Sequence, residues 1–179
     1  MHSDDDSDNA AEKDIAALSN MALQHYQEGN LKQARDDCQR ILRAQPRPDA
    51  ILILAKIAHE LRDFEEAAMR YSQFLEIVPD HEQTHYYLGA ALEELGRFDR
   101  AIGQYQQAIA INASNAEALG RLADSFSRQQ RWEEAIGAYQ RVLALRDDDA
   151  GTMVKLGNAF TETQLFAEAI LIFERALTV

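Results

Sequence analysis

A chain of 179 residues with 46% hydrophobic and 27% charged side chains has enough apolar surface for a packed fold and too much for a disordered one. Its net charge of −12 repels phosphate backbones and argues against nucleic-acid binding. No apolar run approaches the roughly 18 residues that membrane insertion needs, and the single cysteine, Cys38, rules out an internal disulfide.

In chain order, residues 1–14 come first and read as an acidic, disordered tail. Asp4, Asp5, Asp6, Asp8, Glu12 and Asp14 face only Lys13, for a local charge of −5. The start has neither a basic region nor an apolar stretch, so it is not a secretory signal, and a cytoplasmic location is expected. Helical spacing then predicts pairs at 15–28 with 31–44, 48–61 with 64–77, 82–95 with 98–111, 116–129 with 132–145, and 150–163 with 166–178. Gly29 and Gly96 fall at turns within pairs, where positive φ is useful. Pro46, Pro48 and Pro79 fall between pairs. Asp147-Asp148-Asp149 precedes the last pair, and acids there suit the start of a helix.

These pairs are copies of one unit. Ala34, Ala67, Ala101, Ala135 and Ala169 recur at spacings of 33, 34, 34 and 34 residues. Leu31, Phe64, Phe98, Trp132 and Phe166 stand three residues before them, and Cys38, Tyr71, Tyr105, Tyr139 and Phe173 four after, which places all three sets on one helix face. Met21, Leu54, Leu88, Leu122 and Leu156 recur in the preceding helix. Each is followed by a small residue (Ala22, Ala55, Gly89, Ala123, Gly157) that lets a second helix approach closely. A period near 34 means stacked helical hairpins.

The pattern resembles the tetratricopeptide repeat (TPR) family, most clearly at Leu88, Gly89, Leu92, Phe98, Ala101, Tyr105 and Ala108. The closing proline is present as Pro46 and Pro79 but replaced by Ala113 and Asp147, where looser turns are expected. The early tryptophan is absent, its slot filled by Leu18, Ile51, His85, Leu119 and Met153. The resemblance covers residues 15–179, as repeats 15–47, 48–81, 82–115, 116–149 and an incomplete 150–179. It implies an all-α fold, a right-handed superhelical solenoid of antiparallel helix pairs. The function it implies is a non-enzymatic scaffold or adaptor that binds a protein or peptide; the alternative is the recognition arm of a larger enzyme, such as a glycosyltransferase or sulfotransferase. The chain stops within the second helix of the fifth unit, leaving Ile170, Leu171, Phe173 and Leu177 with no successor. A fragment of a longer protein is the favoured explanation, and self-association through this uncapped helix the competing one.

Sites for chemistry are few. His81-Glu82-Gln83-Thr84-His85 spells the HExxH zinc-protease signature, yet the repeat frame places His81 in a turn and His85 in a packing slot, so no metal, cofactor or catalysis is expected. Cys38 reads as a buried small hydrophobe, and His25 and His59 as ordinary helix histidines. Asn112-Ala113-Ser114 fits a glycosylation acceptor that goes unused without export.

In the family, first helices line the concave wall. That carry-over places Lys56, Tyr86, Tyr87, Arg121, Asp124, Arg128, Lys155 and Asn158 at a groove. Tyrosine and arginine are common interface anchors. Tyr86 or Tyr87 with Arg121 and Lys155 is expected to hold an extended or helical peptide bearing an acidic or carboxylate group. The clamp that some relatives use for acidic chaperone tails is not matched, since Ser19, Leu23, Ile53, Tyr86 and Ala90 stand where its polar members belong. Nor is the asparagine ladder of O-linked N-acetylglucosamine transferases, where Asn20 fits but Ile53, Tyr87, Arg121 and Lys155 do not.

Overall fold

The computed structural model describes residues 3–179, with side chains placed from Glu12 onward. Ten helices and no strands occur among the described residues: α1 Ser3–Gln27, α2 Leu31–Ala44, α3 Pro48–Glu60, α4 Phe64–Ile77, α5 Glu82–Glu94, α6 Phe98–Ile111, α7 Ala116–Arg128, α8 Trp132–Leu145, α9 Ala150–Glu162 and α10 Phe166–Ala176. None is long and apolar enough to cross a membrane. Helix α1 starts at Ser3, so no break in helical backbone marks the boundary expected near residue 14.

Each hairpin closes through one recurring device. Gly29, Arg62, Gly96, Gln130 and Gln164 all have positive φ, between 58° and 77°. The amide after each reaches back five residues: Asp63 N donates to the Ala58 carbonyl at 2.9 Å, Arg97 N to Leu92 at 2.8 Å, and Arg131 N to Phe126 at 2.9 Å. These are Schellman caps, which satisfy the last carbonyls of the first helix and turn the chain into the second. The two glycines mark this turn in the sequence. Arg62, Gln130 and Gln164 adopt the same conformation without glycine's freedom, and nothing in their side chains announces it.

Between hairpins the punctuation varies. Pro48 opens α3, where its missing N–H is not needed. His81, Asn115 and Asp149 cap α5, α7 and α9, each accepting a hydrogen bond from the amide three residues on. The turns that lack proline carry side-chain hydrogen bonds of their own. Asn112 Oδ1 accepts from Ser114 N at 3.2 Å and Oγ at 2.9 Å, and Glu82 bridges Asn112 and Asn115. Arg175 Nη2 donates to the Asp147 carbonyl at 2.5 Å.

Two compact units divide the chain, Met1–Pro79 and Asp80–Val179. In the first, α1 packs on α2, α3 on α4, and both α1 and α2 on α3. Its core gathers Ala22, Ala34, Cys38, Ile41, Ala50, Ile53, Leu54 and Ile57. In the second, hairpins α5–α6, α7–α8 and α9–α10 stack through α6 on α7 and α8 on α9. The five repeat alanines are at most 2% exposed. The small residues do what the spacing requires: a Cβ on Gly89 would lie 2.7 Å from Tyr105 Cε1, and one on Gly157 would overlap the Phe173 ring. Met21 departs from its slot. It is half exposed where Leu54, Leu88, Leu122 and Leu156 are buried. On α10 and at its end, Phe166, Ile170, Leu171 and Leu177 are exposed. Cys38 is buried, and burial first, then the nearby Asp37 and Asp49, push its thiol up to about 12.

Candidate partner-binding groove

The expected groove residues split between the units. Lys56 is half-buried on α3 of the first unit. The other seven lie on α5, α7 and α9 of the second, the first helices of its three hairpins. First helices carry them because the second helices spend their apolar face on the buried alanine and aromatic columns.

Two ionic clusters tie these helices together. In one, Glu93 in the last turn of α5 is buried, its side chain only 6% exposed. Its Oε2 accepts from the Tyr105 hydroxyl at 2.9 Å. Arg121 Nη1 lies 3.7 Å from Oε2 and Arg128 Nε 3.5 Å from Oε1. Arg128 also lies over the Phe98 ring, 5.8 Å from its centroid. In the other cluster, Lys155 Nζ on α9 grips both oxygens of Asp124 on α7 at 2.9 and 2.8 Å. Asp124 Oδ1 further accepts from the Tyr139 hydroxyl at 2.7 Å. Burial, reinforced by Glu93, raises the pKa of Tyr105; burial, reinforced by Asp124 against the opposing Ser127 hydrogen bond, raises that of Tyr139. Both phenols therefore stay neutral donors. For Arg121, burial works against the charge, but the hydrogen bond with Tyr86 and the nearby Glu93 carboxylate favour it, and its pKa is raised.

Tyr86 and Tyr87 are both half-buried and meet edge to face, 5.4 Å between centroids. Tyr86 joins the Glu93 cluster, packing 6.0 Å from Tyr105 and lining a cleft of about 220 Å³ with Arg121, Asp124 and Arg146. A second cleft of about 440 Å³ is walled by Arg128, Trp132, Tyr139, Lys155 and Asn158. The sequence reading brought Arg128, Lys155 and Asn158 to this face and missed Glu93, the Trp132 wall and the two phenol hydroxyls. A signal for Glu93 exists. Tyr26, His59, Glu93, Ser127 and Thr161 occupy one repeat position, all polar, opposite the column Cys38, Tyr71, Tyr105, Tyr139 and Phe173. Ser127 faces Tyr139 at 3.2 Å just as Glu93 faces Tyr105.

The HExxH residues are engaged as structure. His81 Nδ1 accepts from Thr84 N at 3.2 Å, Glu82 holds Asn112 and Asn115, and His85 Nδ1 meets Gln104 Oε1 at 2.8 Å. His25 pairs with Asp37 at 2.9 Å, and His59 packs edge-on against Phe64 and Tyr71.

The second-helix side of this unit carries two matching clefts. One, about 660 Å³, is lined by Gln106, Ile109, Leu122, Phe126, Glu134 and Arg141 among others. The other, about 610 Å³, is lined by the residues 34 positions later, including Gln140, Leu143, Leu156, Phe160, Glu168 and Arg175.

Tetratricopeptide repeat family models match residues 19–80, 54–117 and 114–179. No curated protein matches the chain. Among solved structures, a crystal structure of a MamA protein shares 22% identity over 92% of this chain and 90% of its own, with a TM-score of 0.86. A second MamA structure shares 18% identity over 94% and 92%, with a TM-score of 0.84. The repeat hairpins, their common Schellman turns and these family matches lead to one conclusion: the chain belongs to the tetratricopeptide repeat family.

Proposed function

We propose that this chain is a protein-interaction scaffold that holds a peptide segment on the first-helix face of residues 80–179, with an acidic or carboxylate group of that segment at Arg121, Arg128 and Lys155. The observation that carries this reading is the side-chain exposure of these three cations, 47%, 60% and 50%, on an otherwise acidic chain. Their counter-ions Glu93 and Asp124 lie deeper, at 6% and 26%. A segment arriving from solvent therefore meets guanidinium and ammonium groups first, beside the apolar wall of Trp132 and the amide of Asn158. Aromatic and arginine anchors around a side-chain-sized cleft are the usual makings of an interface hot spot.

The test uses the wild-type chain and an Arg121→Ala, Lys155→Ala double variant as parallel bait, with recovered proteins identified by mass spectrometry and their affinities measured. A partner of this groove is expected to bind the variant at least about tenfold more weakly, the loss of two partly desolvated ionic contacts. Equal recovery and affinity with both baits would end the proposal.

A further inference from the structure

Glu93 stands where local physics disfavours it. A carboxylate in the last turn of a helix meets the negative end of the helix dipole, and burial adds a desolvation cost. Among the five residues at this repeat position, Tyr26, His59, Glu93, Ser127 and Thr161, it is the one carboxylate. Two guanidinium groups compensate it, and both come from α7 of the next hairpin. The separations of 3.5 and 3.7 Å exceed the roughly 2.7–2.9 Å of a well-formed charged hydrogen bond. Each arginine thus leaves donor capacity unspent, and each is about half exposed. The Tyr105 hydroxyl holds Glu93 in place from the buried side.

We propose that Glu93 is an internal competitor for the anionic group of the bound segment, and that it sets which acidic segments the groove accepts. This rests on the groove reading above. With Glu93 in place, Arg121 and Arg128 keep one net positive charge, so the site suits a single carboxylate held from the solvent side. The neighbouring Lys155 and Asp124 pair adds no net charge. Neutral segments gain too little to hold, and strongly acidic ones bind below the strength that two uncompensated arginines would give.

The probe is a fluorescein-labelled hexaglutamate peptide, with hexaglutamine as control, followed by fluorescence anisotropy on the full chain. Glu93→Gln keeps the shape and an acceptor for Tyr105 while removing the charge. It is expected to bind hexaglutamate about five- to tenfold more tightly than wild type, as expected for one partly screened charge at close range. The gain should shrink as salt is raised from about 50 to about 300 mM, because shorter screening lengths weaken it. Hexaglutamine binding should not change. Glu93→Ser, which copies the Ser127 and Tyr139 arrangement one repeat later, should behave alike and serves if the glutamine variant fails to fold. Hexaglutamate binding that weakens in the Arg121→Ala, Lys155→Ala variant yet is no tighter in folded Glu93→Gln or Glu93→Ser than in wild type overturns the role of Glu93 alone. Binding that is indifferent to Arg121 and Lys155 overturns the groove reading, and this inference with it.

Discussion

At the scale of single residues, five positions share one left-handed backbone and two of them are glycine. The asymmetry gives opposite expectations for opposite substitutions. Gly96→Ala should cost about 1 kcal/mol in urea unfolding, since a Cβ is strained at positive φ. Gln130→Gly should be neutral or gain a few tenths of a kcal/mol, because relief of that strain is set against the greater freedom of glycine in the unfolded chain. A loss on Gln130→Gly as large as that on Gly96→Ala would mean that the two turns are not alike. The sequence showed this feature only where glycine occupies it. A glutamine or arginine in left-handed conformation is imposed by the two helices it joins, and its side chain carries no mark of that.

Single elements are held by their ends as much as by their faces. Asp149 caps α9 with two hydrogen bonds, from Thr152 N and Thr152 Oγ1, both at 2.9 Å. The backbone bond, ahead of the opposing burial and with help from the Thr152 hydroxyl, lowers its pKa below the ordinary 3.8. Because the folded value is depressed, the added stability is fully present above the ordinary value and is lost as pH falls toward the folded one. Asp149→Ala should cost about 1 kcal/mol near neutral pH, the usual worth of a cap. Asp149→Asn should cost less at neutral pH, and its stability should fall less than that of wild type between about pH 5 and pH 3. A thermal melt series over that range checks both. This cap was legible, since an acid run before an apolar-periodic segment points to a helix start. The Glu93 cluster was not. Its members come from three successive helices, α5, α6 and α7, and a glutamate near a helix end reads as solvated surface until Tyr105 and two arginines are seen around it.

For the whole molecule, the units differ in how many hairpins they hold, two up to Pro79 and three beyond it. Repeat stacks need about three units to bury a continuous core. Residues 80–179 expressed alone should therefore keep a cooperative thermal transition and full helical circular dichroism. Residues 1–79 alone should show weak helicity and a broad, non-cooperative melt. An equally sharp transition in both fragments would contradict the count. The groove residues other than Lys56 lie in the three-hairpin unit, so the proposed site and the more self-sufficient part of the fold coincide.

The sequence by itself determined the repeat length, the all-α class, the pairing of helices and which face of each is buried. Those follow from short-range spacing: one alanine, one aromatic and one small residue per unit suffice to define two amphipathic helices and their closest contact. Only the tertiary structure decided which surface charges are still available to a partner. Arg121, Arg128 and Lys155 looked like exposed cations in the repeat frame, and they are, but each already answers to a carboxylate on a neighbouring hairpin. Electrostatic pairing depends on distances of a few ångströms between helices separated by tens of residues, and side-chain periodicity along one chain does not encode them.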